Sequence, residues 1–307
     1  MPPTLPTSTL TPTLSERLLV NHDSSSNGGE EIVVETSLKC TAPDNSWSVE
    51  EKTIRKWKVL SYNQLPPWLR DNDYLLHGHR PQLNSFRDCA LSVFRIHTET
   101  GNIWTHLLGA LFFVGLAIEL YLFSGADMLL MDKLIFGIYF TAALGCLTFS
   151  TVYHTFSCYS QAVAHTCQAF DYVGIAIMIT GSLMSYLYYA FYCNKTAQLI
   201  YLIAFPVAGS AVAFVTLWPK MGKFDHFCSF DVNYSIIIGK PEFRAVRASV
   251  FIAFGISAVI PYIHYYFLID EELPIDNLKT FGMAIFYIGG ACIYANRIPE
   301  KLKPGMT

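Results

Sequence analysis

Charge is scarce in this chain. Only 15% of its 307 residues are Asp, Glu, Lys or Arg, against about 25% in soluble domains, and the mean hydropathy is +0.33. That balance excludes an ordinary soluble enzyme and a nucleic-acid binder. The eight cysteines form no CxxC pair or other metal-ligand spacing, so neither a secreted disulfide frame nor a cysteine metal site is indicated. An apolar signal-peptide core is missing from the N-terminus, which makes the first apolar span the expected insertion signal. No span carries paired charges or a filter-like loop, which argues against a channel or transporter. The net charge of −3 favours no partner of either sign.

What the chain has is long apolar runs. Six stand out, at 103–123, 134–152, 169–192, 197–218, 248–269 and 280–295. Five reach the roughly 20 residues a membrane-spanning helix needs, and the sixth is shorter. Only two charged residues, Glu119 and Asp171, fall inside them. The expected fold class is therefore all-α: a polytopic membrane helix bundle with six transmembrane helices over 103–296. Ahead of it lies a tail, 1–55, in which 11 of the first 15 residues are Pro, Ser or Thr. Such a composition buries too little apolar surface to offset its ordering entropy, and the reading is disorder. A juxtamembrane segment (56–102) and a short C-terminal tail (297–307) complete the layout.

Loop charge sets the orientation. Lys133, Lys195 and Lys279 stand alone in the first, third and fifth loops. The opposite side collects Arg80, Arg87 and Arg95, then Lys220, Lys223, Lys240, Arg244 and Arg247, then Arg297, Lys301 and Lys303. Lys and Arg accumulate on the cytoplasmic side, so both termini are expected there, in a plasma membrane or endomembrane protein. Residues 85–96 alternate apolar and charged positions at helical spacing, which suggests a short helix on the inner surface. Pro206 and Pro261 lie inside spans, where a kink is tolerable if neighbours satisfy the freed carbonyl.

Polar residues cluster at the inner depth. Ser150 and His154, four apart on one face of the second span, lie at its inner end. Asp171 lies at the inner end of the third, and an ionisable group at that depth marks a candidate functional site. A helix N-cap role is the competing account of Asp171. A Ser/His/Asp triad needs the imidazole between the other two. Catalytic zinc fits the residue types better, but one His and one Asp are too few to hold it tightly.

The sequence from Phe94 to Gly109, FRIHTETGNIWTHLLG, resembles the segment entering the first helix of adiponectin receptors, in the progestin and adipoQ receptor family, also called haemolysin-III-related. Residues 71–81 (DNDYLLHGHRP), 150–156 (STVYHTF), 171–175 (DYVGI), 190–193 (AFYC) and 294–300 (YANRIPE) carry the same likeness. The resemblance implies a seven-helix fold with the N-terminus inside. It also implies a zinc ion held by three histidines, of which the helix-2 ligand falls on His154 as the metal residue. Asp171, which would hold the zinc-bound water, and Ser150 one turn before His154 take the catalytic positions. The implied activity is hydrolysis of ceramide-like lipids, in a receptor for an adiponectin-like protein ligand, with ceramide or fatty acid as lipid partner.

Two departures from that pattern shape the expectations. The pair of helix-7 histidines, His-x-x-x-His, has no counterpart in residues 1–307, so zinc is expected to bind weakly or not at all. His106 and His165 are candidate substitutes, His264 lies at the wrong depth, and Arg247 is a candidate partner for Asp171. The loop 219–243 is longer than the pattern leads one to expect. The readings that follow are a receptor whose zinc-dependent hydrolase site is incomplete in this chain, a non-catalytic truncated form or scaffold that pairs with full-length receptors, or an incomplete gene model.

Overall fold

The computed structural model describes residues 15–16, 30–41, 46–124, 128–221, 244–268 and 277–305. Its membrane part is entirely helical. Helix α1 is Phe86–Ser92, α2 Thr100–Ile118 with a π-helical extension Glu119–Ser124, α3 Leu130–Phe156, α4 Gln161–Ala190 and α5 Lys195–Met221. Then come α6 Arg244–Ile256, α7 Val259–Leu268 and α8 Asn277–Asn296. By length and composition five helical segments can cross a membrane, and Phe281–Asn296 is a shorter apolar helix.

Most expected spans appear with ends extended by a few residues, but three features differ. First, the surface helix covers only Phe86–Ser92. Ser85 caps it, its hydroxyl accepting from the Asp88 N–H at 3.3 Å, and the chain turns at Val93 ahead of α2. Second, the fifth span is two helices. Pro261 has no N–H for the carbonyl four residues earlier and its ring crowds that carbonyl; the break falls there, at Ser257 and Ala258. The Ser257 carbonyl instead accepts the Ile260 N–H at 3.1 Å, and the Ser257 hydroxyl donates to the Phe254 carbonyl at 2.6 Å. Pro206 leaves α5 continuous. Third, part of the 1–55 segment, expected to be disordered, carries strands. Strands β2 (Glu30–Thr41) and β3 (Ser46–Trp57) pair antiparallel, with β1 (Ser15–Glu16) along β2. The run Ile32, Val34, Thr36, Leu38 and Cys40 alternates with Glu35, Ser37 and Lys39, which is the period of a strand. The remainder of 1–55, and 222–243 of the long loop, lie outside the described residues.

Close backbone approach holds the helices together. Within a membrane there is little hydrophobic drive between helices, so small residues at the seam matter most. A Cβ at Gly174 on α4 would lie 3.0 Å from Cys146 Cα on α3, and one at Gly181 would collide with the Ala142 methyl. Helix α4 is the centre of the bundle: Ala176, Ile179, Leu183 and Leu187 pack with Phe205 on α5 and with Phe251, Phe254 and Tyr265. Large apolar side chains elsewhere face outward, Phe112 on α2 and Phe286 on α8 among them, as expected for surfaces covered by lipid.

A polar collar joins the segment before α2 to the end of α3. Cys89 and Cys158, far apart in sequence, are both buried with their Sγ atoms 3.7 Å apart, packed with Trp57 and Leu83. Arg95 stacks on the Trp57 ring at 3.8 Å. His97 is buried beside them. Its Nε2 is 3.1 Å from the Ser92 carbonyl, and its Nδ1 accepts the Glu99 N–H at 3.1 Å. Those bonds fix a neutral tautomer. Burial, reinforced by the Arg80 charge, pushes the imidazole down to about 4 from an ordinary 6.5. The unfolded chain therefore takes up a proton near pH 6.5 while the folded one does not. Stability is complete above that pH and falls as pH drops toward 4, by about 2 kcal/mol at pH 5. The expected result is a lower melting temperature in detergent at pH 5 than at pH 7.5, with the slope flattened in His97→Asn; parallel profiles for the two proteins would refute it.

Candidate functional site

Three helix ends meet where the polar residues were expected. Glu99, the N-cap of α2, and Asn102 and His106, three and seven residues on, share one face of that helix. Ser150 and His154 come from the last turns of α3, and Asp171 from the first half of α4.

The six side chains form two connected sets. Ser150, buried, lies 2.6 Å from His106 Nδ1 and is also hydrogen-bonded to Asp171. With Asp171 ionised, the serine donates to the carboxylate and accepts from the His106 Nδ1–H. The hydroxyl, not an imidazole, sits in the middle, so the order of a nucleophilic triad is not met. In the second set, His154 Nδ1 donates to Glu99 Oε2 at 2.7 Å, and Asn102 Nδ2 donates to the same oxygen at 2.9 Å. This leaves His154 Nε2 as the nitrogen open to a ligand. A carboxylate that orients an imidazole through its far nitrogen is the usual outer arrangement of a metal-binding histidine. Burial works against the Glu99 charge, but the bond and charge from His154 and the bond from Asn102 outweigh it and hold its carboxyl at about 2. The His106 and His154 rings are 6.5 Å apart, edge to face.

Arg80 holds the frame. Its buried guanidinium donates to Ser92 Oγ at 2.8 Å and to the Thr155 carbonyl at 2.9 Å, and it also reaches the His154 carbonyl. It thus satisfies carbonyls that the end of α3 leaves open, where the helix dipole favours a cation.

Of the residues singled out from sequence, Ser150, His154 and Asp171 converge. His106 joins them through Ser150, whereas His165 bonds Gln161 on its own helix. His264 Nδ1 lies 2.8 Å from the Tyr201 hydroxyl, a partner on α5. The Arg247 guanidinium lies over the Tyr172 ring, 5.2 Å from its centroid, so the proposed partner of Asp171 covers its chain neighbour. Glu99, Asn102 and Arg80 were not singled out as site residues. The spacing E-x-x-N-x-x-x-H in 99–106 was the available signal for the first two.

The described residues do not by themselves gather a set of zinc ligands. Among the described residues no group of three His, Cys, Asp or Glu side chains is placed to hold a metal ion. His154 offers one open nitrogen, and His106 and Asp171 are both tied to Ser150.

Comparison with known proteins agrees with this architecture. The haemolysin-III-related family pattern matches residues 94–307. The chain is 40% identical over 270 residues to the adiponectin receptor protein of Drosophila melanogaster, covering 85% of this chain and 57% of that protein. It is 37% identical over 280 residues to progestin and adipoQ receptor-like protein 1 of Caenorhabditis elegans, covering 90% and 60%, and 31% identical to heptahelical transmembrane protein 1 of Arabidopsis thaliana, covering 83% and 74%. It thus spans about three fifths of the length of the two animal receptors. With its apolar helices, its polar cluster and these relatives, the chain is an integral membrane protein that belongs to the haemolysin-III-related, or progestin and adipoQ receptor, family.

Proposed function

We propose that this protein is a signalling receptor of the adiponectin-receptor kind, with its N-terminus in the cytoplasm, and that its inner polar cluster is one part of a zinc-dependent hydrolase site for ceramide-like lipids. The observation that carries the reading is the convergence of His154, Ser150 and Asp171 from two helices of a chain 40% identical to an adiponectin receptor. The residues of the cluster act as a prearranged frame: Glu99 sets the ring of His154, and Ser150 fixes the Asp171 carboxylate. Among the described residues the cluster supplies one oriented imidazole and one fixed carboxylate, and further imidazoles are needed for tight zinc binding.

Elemental analysis of the detergent-purified 307-residue protein, beside His154→Ala, tests this. Well under one zinc per chain in both is the expected result. About one zinc per chain, lost on His154→Ala, would overturn the incomplete-site reading and place the missing ligands in this chain or a second copy. A second reading is a non-catalytic regulator that pairs with other receptors of the family, favoured by the absence, among the described residues, of three His, Cys, Asp or Glu side chains placed to hold a metal. That reading predicts co-purification with a longer homologue and altered signalling by it with no metal bound to this chain.

A further inference from the structure

A cavity of about 720 Å³ lies between α3, α4 and α5. It is separate from the polar cluster. Thr141 on α3 is nine residues before Ser150, and Thr180 on α4 is nine after Asp171. At 3.6 residues per turn, nine residues is half a revolution, so the cavity and the cluster lie on opposite sides of the α3–α4 pair.

Its chemistry is graded along its length. The floor is apolar and shallow-sided, with Gly137, Ala142, Ala176 and Gly181 among its lining. Thr180 lines it too, but its hydroxyl donates to the Ala176 carbonyl at 2.8 Å and so adds no open polar group. One end is different: Lys133 and Tyr121 meet there, the Tyr121 hydroxyl donating to the Lys133 carbonyl. Lysine and tyrosine are the residues that settle at headgroup level. From Lys133 to Ala142 the groove runs nine residues of helix, about 14 Å. One leaflet of a bilayer has about 15 Å of hydrocarbon. The groove therefore reaches from the headgroup region to the midplane, with its one cationic side chain at the headgroup end.

We propose that this groove binds one phospholipid of the leaflet on the Lys133 side, an acyl chain lying along the Gly137–Gly181 floor and the phosphate paired with Lys133. Length and charge both fit that occupant: a largely apolar channel about one leaflet deep, with Lys133 the one cationic residue among those lining its headgroup end.

The test is native mass spectrometry of the whole 307-residue protein in detergent, titrated separately with phosphatidylglycerol and with oleate. Wild-type protein is expected to retain one phosphatidylglycerol per chain. Lys133→Gln should weaken it about fivefold, as one lysine near a headgroup is worth about 1 kcal/mol. Ile177→Trp, which fills the groove from an exposed wall position, should reduce retention to background. Equal retention by wild type and Ile177→Trp, or unchanged affinity in Lys133→Gln, would overturn the proposal. So would tighter binding of oleate than of phosphatidylglycerol, which would make a free carboxylate the ligand. If Ile177→Trp loses helix content, Ala213→Phe on the α5 wall replaces it. The result is independent of zinc content, so this proposal and the proposed activity can fail separately.

Discussion

Arg80→Ala is expected to destabilise the protein by about 3 kcal/mol or more, since it strands several acceptors, each worth about 1–3 kcal/mol when left buried and unpaired. The guanidinium is buried and bonds the Ser92 hydroxyl and the Thr155 and His154 carbonyls together. Removing it takes the guanidinium from all three acceptors, leaving the His154 and Thr155 carbonyls only the long Ser157 hydroxyl and Cys158 thiol contacts, and the end of α3 without its cation. Arg80→Lys should recover only part of the loss, because a lysine ammonium cannot reproduce the planar fork that meets several oxygens at once. Thermal melting in detergent orders the three proteins, wild type above lysine above alanine. A melt for Arg80→Ala within a degree of wild type would show that the clamp is dispensable. His154 belongs to the clamped turn, so in Arg80→Ala its imidazole resonance should also broaden or split by NMR.

The second large effect is expected at the α3–α4 seam. Gly181→Ala places a methyl group against the Ala142 methyl. The helices must part, and overpacking of this kind costs about 1–3 kcal/mol. Ala142→Gly alone removes one methyl group and should cost less. Combined, the two substitutions exchange the methyl across the seam, so the pair should be more stable than Gly181→Ala alone. That non-additivity is the signature of direct contact, and strictly additive melts would place the cost elsewhere. Gly181 also lines the lipid groove, so phospholipid retention in Gly181→Ala reports whether the seam and the groove share one geometry.

The sequence made the architecture legible wherever composition alone decides it. Runs of about 20 residues with almost no charge have few fates besides crossing a membrane, and the described residues of all six are helical apart from the break at Ser257 and Ala258 and the last two residues of the third run. Ser150 and His154 could be paired because helix spacing is local, and Asp171 because charge at that depth is costly. The missed site residues share one cause, dependence on a partner distant in the chain. Glu99 and His154 are 55 residues apart and Arg80 and Thr155 are 75 apart, and no periodicity encodes such pairings. The hairpin of β2 and β3 was hidden differently. Its alternation over Ile32–Cys40 was present, but Ser, Gly and Asn around it dominated the composition. The divided fifth crossing was seen only as a tolerable kink, since the position of Pro261 does not say whether the carbonyl at Ser257 finds a substitute donor.

The contact of Arg247 with Tyr172 has a mechanical consequence. Asp171 and Tyr172 are adjacent on α4, yet one is bound to Ser150 on α3 and the other lies beneath a guanidinium on α6. Adjacent side chains on a helix diverge by about 100°, so α4 acts as a crank between its neighbours. A roll of that helix would move the carboxylate and the phenol together, in directions about 100° apart. Helix α6, the first half of the divided crossing, thus meets α4 one residue away from the carboxylate that meets α3.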